Sequence, residues 1–368
     1  MDRWITWWTA FVSIMPDPAI PHSRPTVGQA EAEAVQQVVL SGNLAQGGQV
    51  EAFEQEVAAF MGRRYAVAVS SGSAALHLAL LALGVGERDE VVVPSYVCNA
   101  LLHAVSATGA RPIVADIDAP TRNIDAASCR QHCSAVCRAI ILPHMFGLPV
   151  AVEAFQDLGV ALIEDCAMSI GAEFAGSKVG AVGEMAICSF YATKVIATGE
   201  GGMVLTDKME LAKELRALRQ YDGLPADRLR FNCKMSDMAA ALGRVQLRRL
   251  PEFIERRRSL AARYDEAFAG LAVECPPSAP GHIYFRYVVG VEGEVDVIMD
   301  QLEARAVSAR RPIYQPLHRE LGAPDSQYPR ATAAYARDLS LPLYPSLDEV
   351  ETERVIDAVC QIAQGKRN

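Results

Sequence analysis

The 368-residue chain has no basic run longer than the three residues Arg256–Arg258, and its formal net charge is −9. Phosphate backbones are gripped by clustered lysine and arginine, so nucleic acid is excluded as the main partner. Long hydrophobic runs are missing too. The strongly apolar stretch Trp4 to Met15 (WITWWTAFVSIM) holds all three tryptophans and is too short to cross a bilayer as a helix. Asp2 and Arg3 make a poor secretory leader, and no small-x-small cleavage site follows. Residues 1–20 are therefore expected to be an N-terminal extension: a docked apolar arm, or sequence ahead of an alternative start at Met15. No membrane partner is expected. Internal repeats and low-complexity segments are also absent, which leaves solenoids and disordered tracts aside.

The nine cysteines are scattered, and Cys166, Cys188 and Cys360 lie inside apolar runs. This suits reduced thiols and a cytoplasmic location better than a disulfide framework. Cys129, Cys133 and Cys137, with His132 among them, invite a metal reading. Their spacing of four suggests one slowly drifting helix face, whereas structural zinc sites usually bring closer pairs from two segments. Core packing without a metal is the expectation.

What is present is enough apolar sequence for a sizeable core, 51% of residues, and a length that fits two domains. Helices are expected over Pro25–Leu40 and Val50–Met61. Strand and helix then alternate. Tyr65–Val69, Glu90–Val93, Pro112–Ala115, Ala139–Leu142 and Val160–Ile163 read as strands. Ser73–Leu83, Val97–Thr108, Ala126–Ala135 and Val150–Leu158 read as helices. Such alternation implies an α/β fold whose parallel sheet is covered on both faces. Further on, Met185–Phe190 and Met203–Leu205 read as strands and Lys208–Arg219 as a helix. Two long helices, Ser236–Leu250 and Glu252–Phe268, are expected to be separated by Pro251. A proline-rich link near Ala272 opens a smaller C-terminal domain with a strand Ile283–Val289 and helices Asp296–Arg305 and Asp348–Ala363. The domain division is thus 21–271 and 272–368.

Ligands of such sheets lie beyond the carboxyl ends of the strands. Three features fall there. Ser70-Ser71-Gly72-Ser73-Ala74 is a short phosphate cradle at a helix N-terminus. Asp165, after Glu164, can hold a protonated ring nitrogen. Lys194, on the loop after a buried strand and five residues beyond Ser189, is a candidate Schiff-base amine. Each alone has a plainer reading: a turn small for packing, a helix cap, a snorkelling lysine. Together they match the needs of pyridoxal phosphate.

The segments SSGSAALHLALLALGVG, DEVVVPSY, EDCAMSIGA, GAVGEMAICSFYATKVIATGEGGMVLT and FNCKMSDMAAALGRVQLRRL resemble the DegT/DnrJ/EryC1/StrS aminotransferases. The likeness runs from about Pro21 to the C-terminus. It implies the aspartate aminotransferase fold (fold type I), with a large, mainly parallel-sheet domain for pyridoxal phosphate and a smaller C-terminal α+β domain. It implies that Lys194 forms the Schiff base and Asp165 pairs with the pyridine nitrogen. Ser189, Ser73 and Ala74 would hold the phosphate, with Gly72 allowing the turn. Asn232 matches an asparagine that reaches the phosphate of the other subunit, so a homodimer with shared active sites is implied. The family's chemistry would move an amino group from glutamate to a nucleotide-linked 4-keto or 3-keto hexose. An aminocyclitol or other keto-substrate, or a non-catalytic sensor role, are the alternatives. Tyr191, Tyr314 and His318 are candidate acceptor-site residues. The sequence departs from the family pattern at Cys98, where an aromatic often stacks on the cofactor, and at Met168, where Gln or His is common.

Overall fold

The computed structural model describes residues 19–365; the Trp4–Met15 stretch lies outside them. A seven-stranded sheet forms the larger part. Its strands are β1 (Tyr65–Val69), β2 (Glu90–Pro94), β3 (Arg111–Ala115), β4 (Cys137–Pro143) and β5 (Ala161–Asp165). After a small hairpin of β6 (Glu173–Phe174) and β7 (Ser177–Lys178), β8 (Met185–Ser189) and β9 (Gly202–Thr206) complete it. The spatial order is β1-β9-β8-β5-β4-β2-β3. The pairs β2–β3, β2–β4, β4–β5 and β5–β8 are parallel. Strand β9 runs against both its neighbours. The reason is connectivity: no crossover helix separates β8 from β9, so the chain can only turn back on itself.

Both sheet faces are buried. Val67 and Val69 of β1 pack with Ala75, Leu76 and Ala79 of the helix Gly72–Ala82. Ala66 and Ala68, on the opposite face, pack with Val50, Phe53 and Val57 of the helix Gly48–Met61. The period of two along a strand sends alternate side chains to the two layers. Uninterrupted small and branched apolar runs follow from that.

The long helices differ from expectation. Asp237–Phe268 is one helix, with Pro251 inside it. A proline there forfeits one backbone hydrogen bond and crowds the preceding turn. The apolar face on either side of it, Leu247, Leu250, Phe253, Ile254 and Leu260, is buried continuously, and that packing carries the helix through. Cys137 likewise sits on β4 and not on the helix Ala126–His132, so the three cysteines do not share a helix face. The Val150–Leu158 segment is a 3₁₀ turn over Val152–Leu158. The smaller sheet is antiparallel, with β10 (Val273–Glu274), β11 (Tyr287–Val291) and β12 (Asp338–Leu341). Its core includes Tyr264 and Phe268 from the end of the long helix and Val355 and Val359 from the helix Glu349–Gly365. Strand β11 starts later than the sequence suggests, since Tyr284 has a φ of 50° that breaks extended pairing.

Strand β1 is a sheet edge, and an open edge is a template for unwanted pairing. Here side chains occupy it. Glu54 accepts the Ala68 N–H at 2.8 Å. Arg219 donates to the Ala68 carbonyl at 3.0 Å and to Glu54 at 2.6 Å. The pair is nearly dry, so removing one partner strands a buried charge. Glu54→Ala is expected to cost about 3–5 kcal/mol, read as a lower urea midpoint. A loss under about 1 kcal/mol would show that the clamp is dispensable.

Candidate active site

The loop from Phe190 to Gly201 leaves β8 and returns as β9. It is closed at its base by Phe190 N–H to the Gly201 carbonyl at 2.9 Å, and by Thr198 N–H to the Phe190 carbonyl at 2.8 Å. Lys194 sits at its turn, with its own N–H on the Tyr191 carbonyl at 2.8 Å. The amine lies 5.2 Å from the centre of the Phe285 ring. Burial lowers the Lys194 pKa from its usual value, and the Arg286 charge pushes the same way. The fields of Cys98 and Asp165 oppose them. A lysine so held carries more free amine at neutral pH than one in water.

Asp165 ends β5 and is buried. Its Oδ1 accepts the Ala167 N–H at 2.9 Å; among the described residues that is the carboxylate's one hydrogen bond. Burial raises its pKa, against the Ala167 N–H and the charges of Lys194 and His144. The second oxygen is left to a partner that carries a proton, which suits a pyridinium N–H. The adjacent Glu164 faces the other way. It accepts N–H groups of Gly180, Val182 and Gly183 at 2.6–2.8 Å and meets the ring of His144 at 3.1 Å. These partners outweigh its desolvation and hold its pKa at about 2.

The third element is the helix Gly72–Ala82. Ser71 caps it, and its Oγ accepts the Ala74 N–H at 3.1 Å. Ala74 is therefore already engaged, while the N–H groups of Gly72 and Ser73 have no intrahelical partner. Gly72 answers to space and not to the turn. A Cβ there would lie 2.6 Å from Cβ and 2.8 Å from Oγ of Ser189. Gly202 is tighter still, since its Cβ would meet the Ser71 carbonyl oxygen at 2.2 Å. These two close approaches put the end of β8 and the start of β9 against the helix start, so the Ser189 hydroxyl and the free N–H groups form one anion cradle. The donor set fits a phosphate.

Cys98 is open to solvent yet walled by protein, and its thiol feels the charges of Lys194, Asp165 and Arg286. Met168, just past Asp165, packs partly buried against the cores on both sides of the sheet. Lys194, Asp165 and Cys98 thus share one crevice. Asn232 does not join them within the chain. It is exposed, its side-chain oxygen accepting the Lys234 N–H at 3.2 Å. Tyr191 and Tyr314 are also exposed, Tyr314 by 82%. His318 is fully buried, with Nδ1 at 2.6 Å from Ser95 Oγ and Nε2 at 3.0 Å from Asp325. Both its ring nitrogens are taken by protein groups, so it ties the Ser95 turn to the 310–320 segment.

Arg286 is the charged group in this crevice that sequence reasoning overlooked. The available signal was an arginine inside the apolar run HIYFRYVVGV; a charge there is costly without a purpose.

The family model described as "DegT/DnrJ/EryC1/StrS aminotransferase family" matches residues 25–360. The spore coat polysaccharide biosynthesis protein SpsC of Bacillus subtilis (strain 168) is 33% identical, over 94% of this chain and 97% of its own. The crystal structure of the aminotransferase TlmJ from Streptoalloteichus hindustanus superposes with a TM-score of 0.89 at 32% identity, covering 95% of this chain and 100% of that one. The Spr1654 protein of Streptococcus pneumoniae in its PLP-form gives 0.90 at 25% identity, over 94% and 99%. No helix among the described residues is long and apolar enough to cross a membrane.

Two outcomes are expected. Gly72→Ala should cost about 1–3 kcal/mol from overpacking, and Ser189→Gly in the same chain should recover part of it; equal urea midpoints for Gly72→Ala and wild type would refute the close approach. Glu164 has a depressed folded pKa, so its contribution is complete above its usual 4.5 and is lost as the pH falls toward about 2. Glu164→Gln should therefore be the less stable protein at pH 7, with the gap closing across that window. A gap in melting temperature that does not change with pH would count against it.

Proposed function

The chain belongs to the DegT/DnrJ/EryC1/StrS aminotransferase family and has fold type I of the PLP-dependent aminotransferases; from this premise we propose that it transfers an amino group from glutamate to a keto-sugar, in the first place a nucleotide-linked 4-keto or 3-keto hexose. The observation that carries this reading is the desolvated amine of Lys194 sharing a crevice with Asp165, whose second carboxylate oxygen has no partner among the described residues.

Bound pyridoxal phosphate supplies an electron sink for the carbon from which a proton is taken. The rest falls to the chain. Asp165 keeps a proton on the ring nitrogen through a charge-assisted hydrogen bond. Lys194, first the attachment point, is then a free amine that takes the proton from the donor's α-carbon and returns it elsewhere. The N–H groups of Gly72 and Ser73 and the Ser189 hydroxyl hold the phosphate, and the Ala74 N–H stays with its Ser71 cap. Cys98 would offer the ring a soft surface in place of an aromatic, and Met168, which cannot donate, would stand in place of a hydrogen-bond donor. Tyr191, beside the lysine, and Tyr314 are open to the acceptor. His318 serves by positioning, through Ser95.

Asn232 would complete the site from a second subunit. In support, Tyr221, Leu229 and Phe231 next to it are exposed by 54–76%, an apolar surface that a homodimer would cover. The sugar class is supported by the polysaccharide role in the name of the SpsC relative.

The first measurement is an absorption spectrum with pyridoxal phosphate before and after glutamate. The protein should show the visible band of the attached cofactor, and glutamate should bleach it. A band that glutamate leaves unchanged would overturn the donor assignment. Lys194→Ala should lose the band and turnover. Asp165→Ala should fold yet lose activity by about 10²–10³-fold; a wild-type rate in either variant would overturn that residue's role.

A further inference from the structure

The crevice holds a permanent cation besides the titratable lysine. Arg286 lies just before β11. Its backbone N–H meets the Phe146 carbonyl at 3.4 Å, and one guanidinium nitrogen, Nη1, donates to the Pro312 carbonyl at 3.0 Å. The guanidinium carbon is 5.6 Å from the centre of the Phe285 ring, the same ring that faces the Lys194 amine. It also borders the hollow lined by Thr193, next to the lysine in the chain.

No carboxylate of the described residues answers this charge. Among the described residues Arg286 makes no ion pair, and the acids around it are committed elsewhere. Glu274 pairs with Arg337 at 3.3 Å, and Asp338 with Arg122 at 2.7 Å. Asp165 stands with the lysine. His22, on the other side, feels Arg286 and Arg310 and is held neutral by burial, with a pKa of about 3; its Nε2 is on Ser340 Oγ at 2.8 Å. A guanidinium cannot shed its proton to escape this situation. A half-buried arginine that is fixed by one nitrogen, with the rest of its fork unpaired, is built to receive an oxyanion.

We infer that Arg286 recognises a carboxylate of the amino donor and so sets the donor class as an amino acid. The inference rests on the aminotransferase reading above. The geometry leaves the acceptor to the exposed tyrosines and gives the anionic half of the donor a fixed partner beside the Phe285 ring, which the reacting amine also meets.

The test separates the two readings. Calorimetry with glutarate, a dicarboxylate that cannot react, reads the contact without turnover. Stopped-flow bleaching of the cofactor-loaded protein reads it in the half-reaction, with L-glutamate and with 1-phenylethylamine, an amine that has no carboxylate. Arg286→Gln should weaken glutarate and raise half-saturation by glutamate at least ~30-fold, while 1-phenylethylamine is unaffected and the visible band persists. Arg286→Lys, which keeps the charge and loses the fork, should fall between and guards against a shift of the Pro312 segment. Unchanged glutarate affinity and glutamate half-saturation in both variants would overturn the inference, as would an equal loss with both donors. A shift seen only with acidic sugars would assign the arginine to the acceptor and overturn it too. Absence of the band in the wild type would instead sink the aminotransferase reading, leaving glutarate binding to decide on Arg286.

Discussion

An amine kept out of bulk water beside a carboxylate with an oxygen to spare is the constraint on which this architecture turns. Neither group is stable in that position on its own account. Lys194 loses hydration and Asp165 loses hydration, and burial pushes their pKa values toward each other. Parallel strands supply the solution. Two neighbouring strands, β5 and β8, end at the same side of the sheet; Asp165 is the last residue of β5, and Lys194 sits on the closed loop that leaves β8. The sheet thereby sets a separation that two side chains on flexible loops could not hold.

Around that pair the other buried acids and bases are tied down more firmly than Lys194 and Asp165 themselves. Glu164 spends its carboxylate on three backbone N–H groups and the His144 ring. Glu54 and Arg219 clasp the free side of β1 just ahead of the phosphate cradle. His318, with Ser95 and Asp325, fixes the turn that carries Cys98. Each is buried and multiply bonded. Among the described residues that border the pair, Asp165, Ser189, the first N–H groups of the Gly72–Ala82 helix and Arg286 keep unused hydrogen-bonding capacity. Unspent capacity in a concave place is what distinguishes a site from its support.

Much of this was legible in the sequence, and the gaps have physical causes. Strand–helix alternation is a local signal, and it located β1 to β5 and the lysine loop. The acid after a Val/Ile/Leu strand and the Ser-Gly turn before a helix are equally local. Pro251 misled because its local cost is real while the apolar face that overrides it belongs to the whole helix. Cys137 was drawn onto a helix by spacing alone, although its apolar followers, Ala139 to Leu142, already read as a strand. His318 resembled a ligand residue because its partners Ser95 and Asp325 are a matter of tertiary contact. Arg286 was missed for the same reason: its importance comes from acids that pair with others, and no window of sequence records that.

Strand β9 gives the lysine loop an unusual property for a segment proposed to carry a reacting group. Both its ends are held in one antiparallel register, Ser189 opposite Gly202, and Gly202 is wedged against the Ser71 carbonyl. The loop therefore acts as a closed span of fixed length. Adding one residue would either buckle it or slip β9 by one position and turn every side chain of that strand to the wrong face. Variation in what the enzyme accepts has to come by exchanging side chains on the span, or from segments outside it such as the one bearing Tyr314. Grafting a longer or shorter lysine loop from a relative is closed as a route to new specificity.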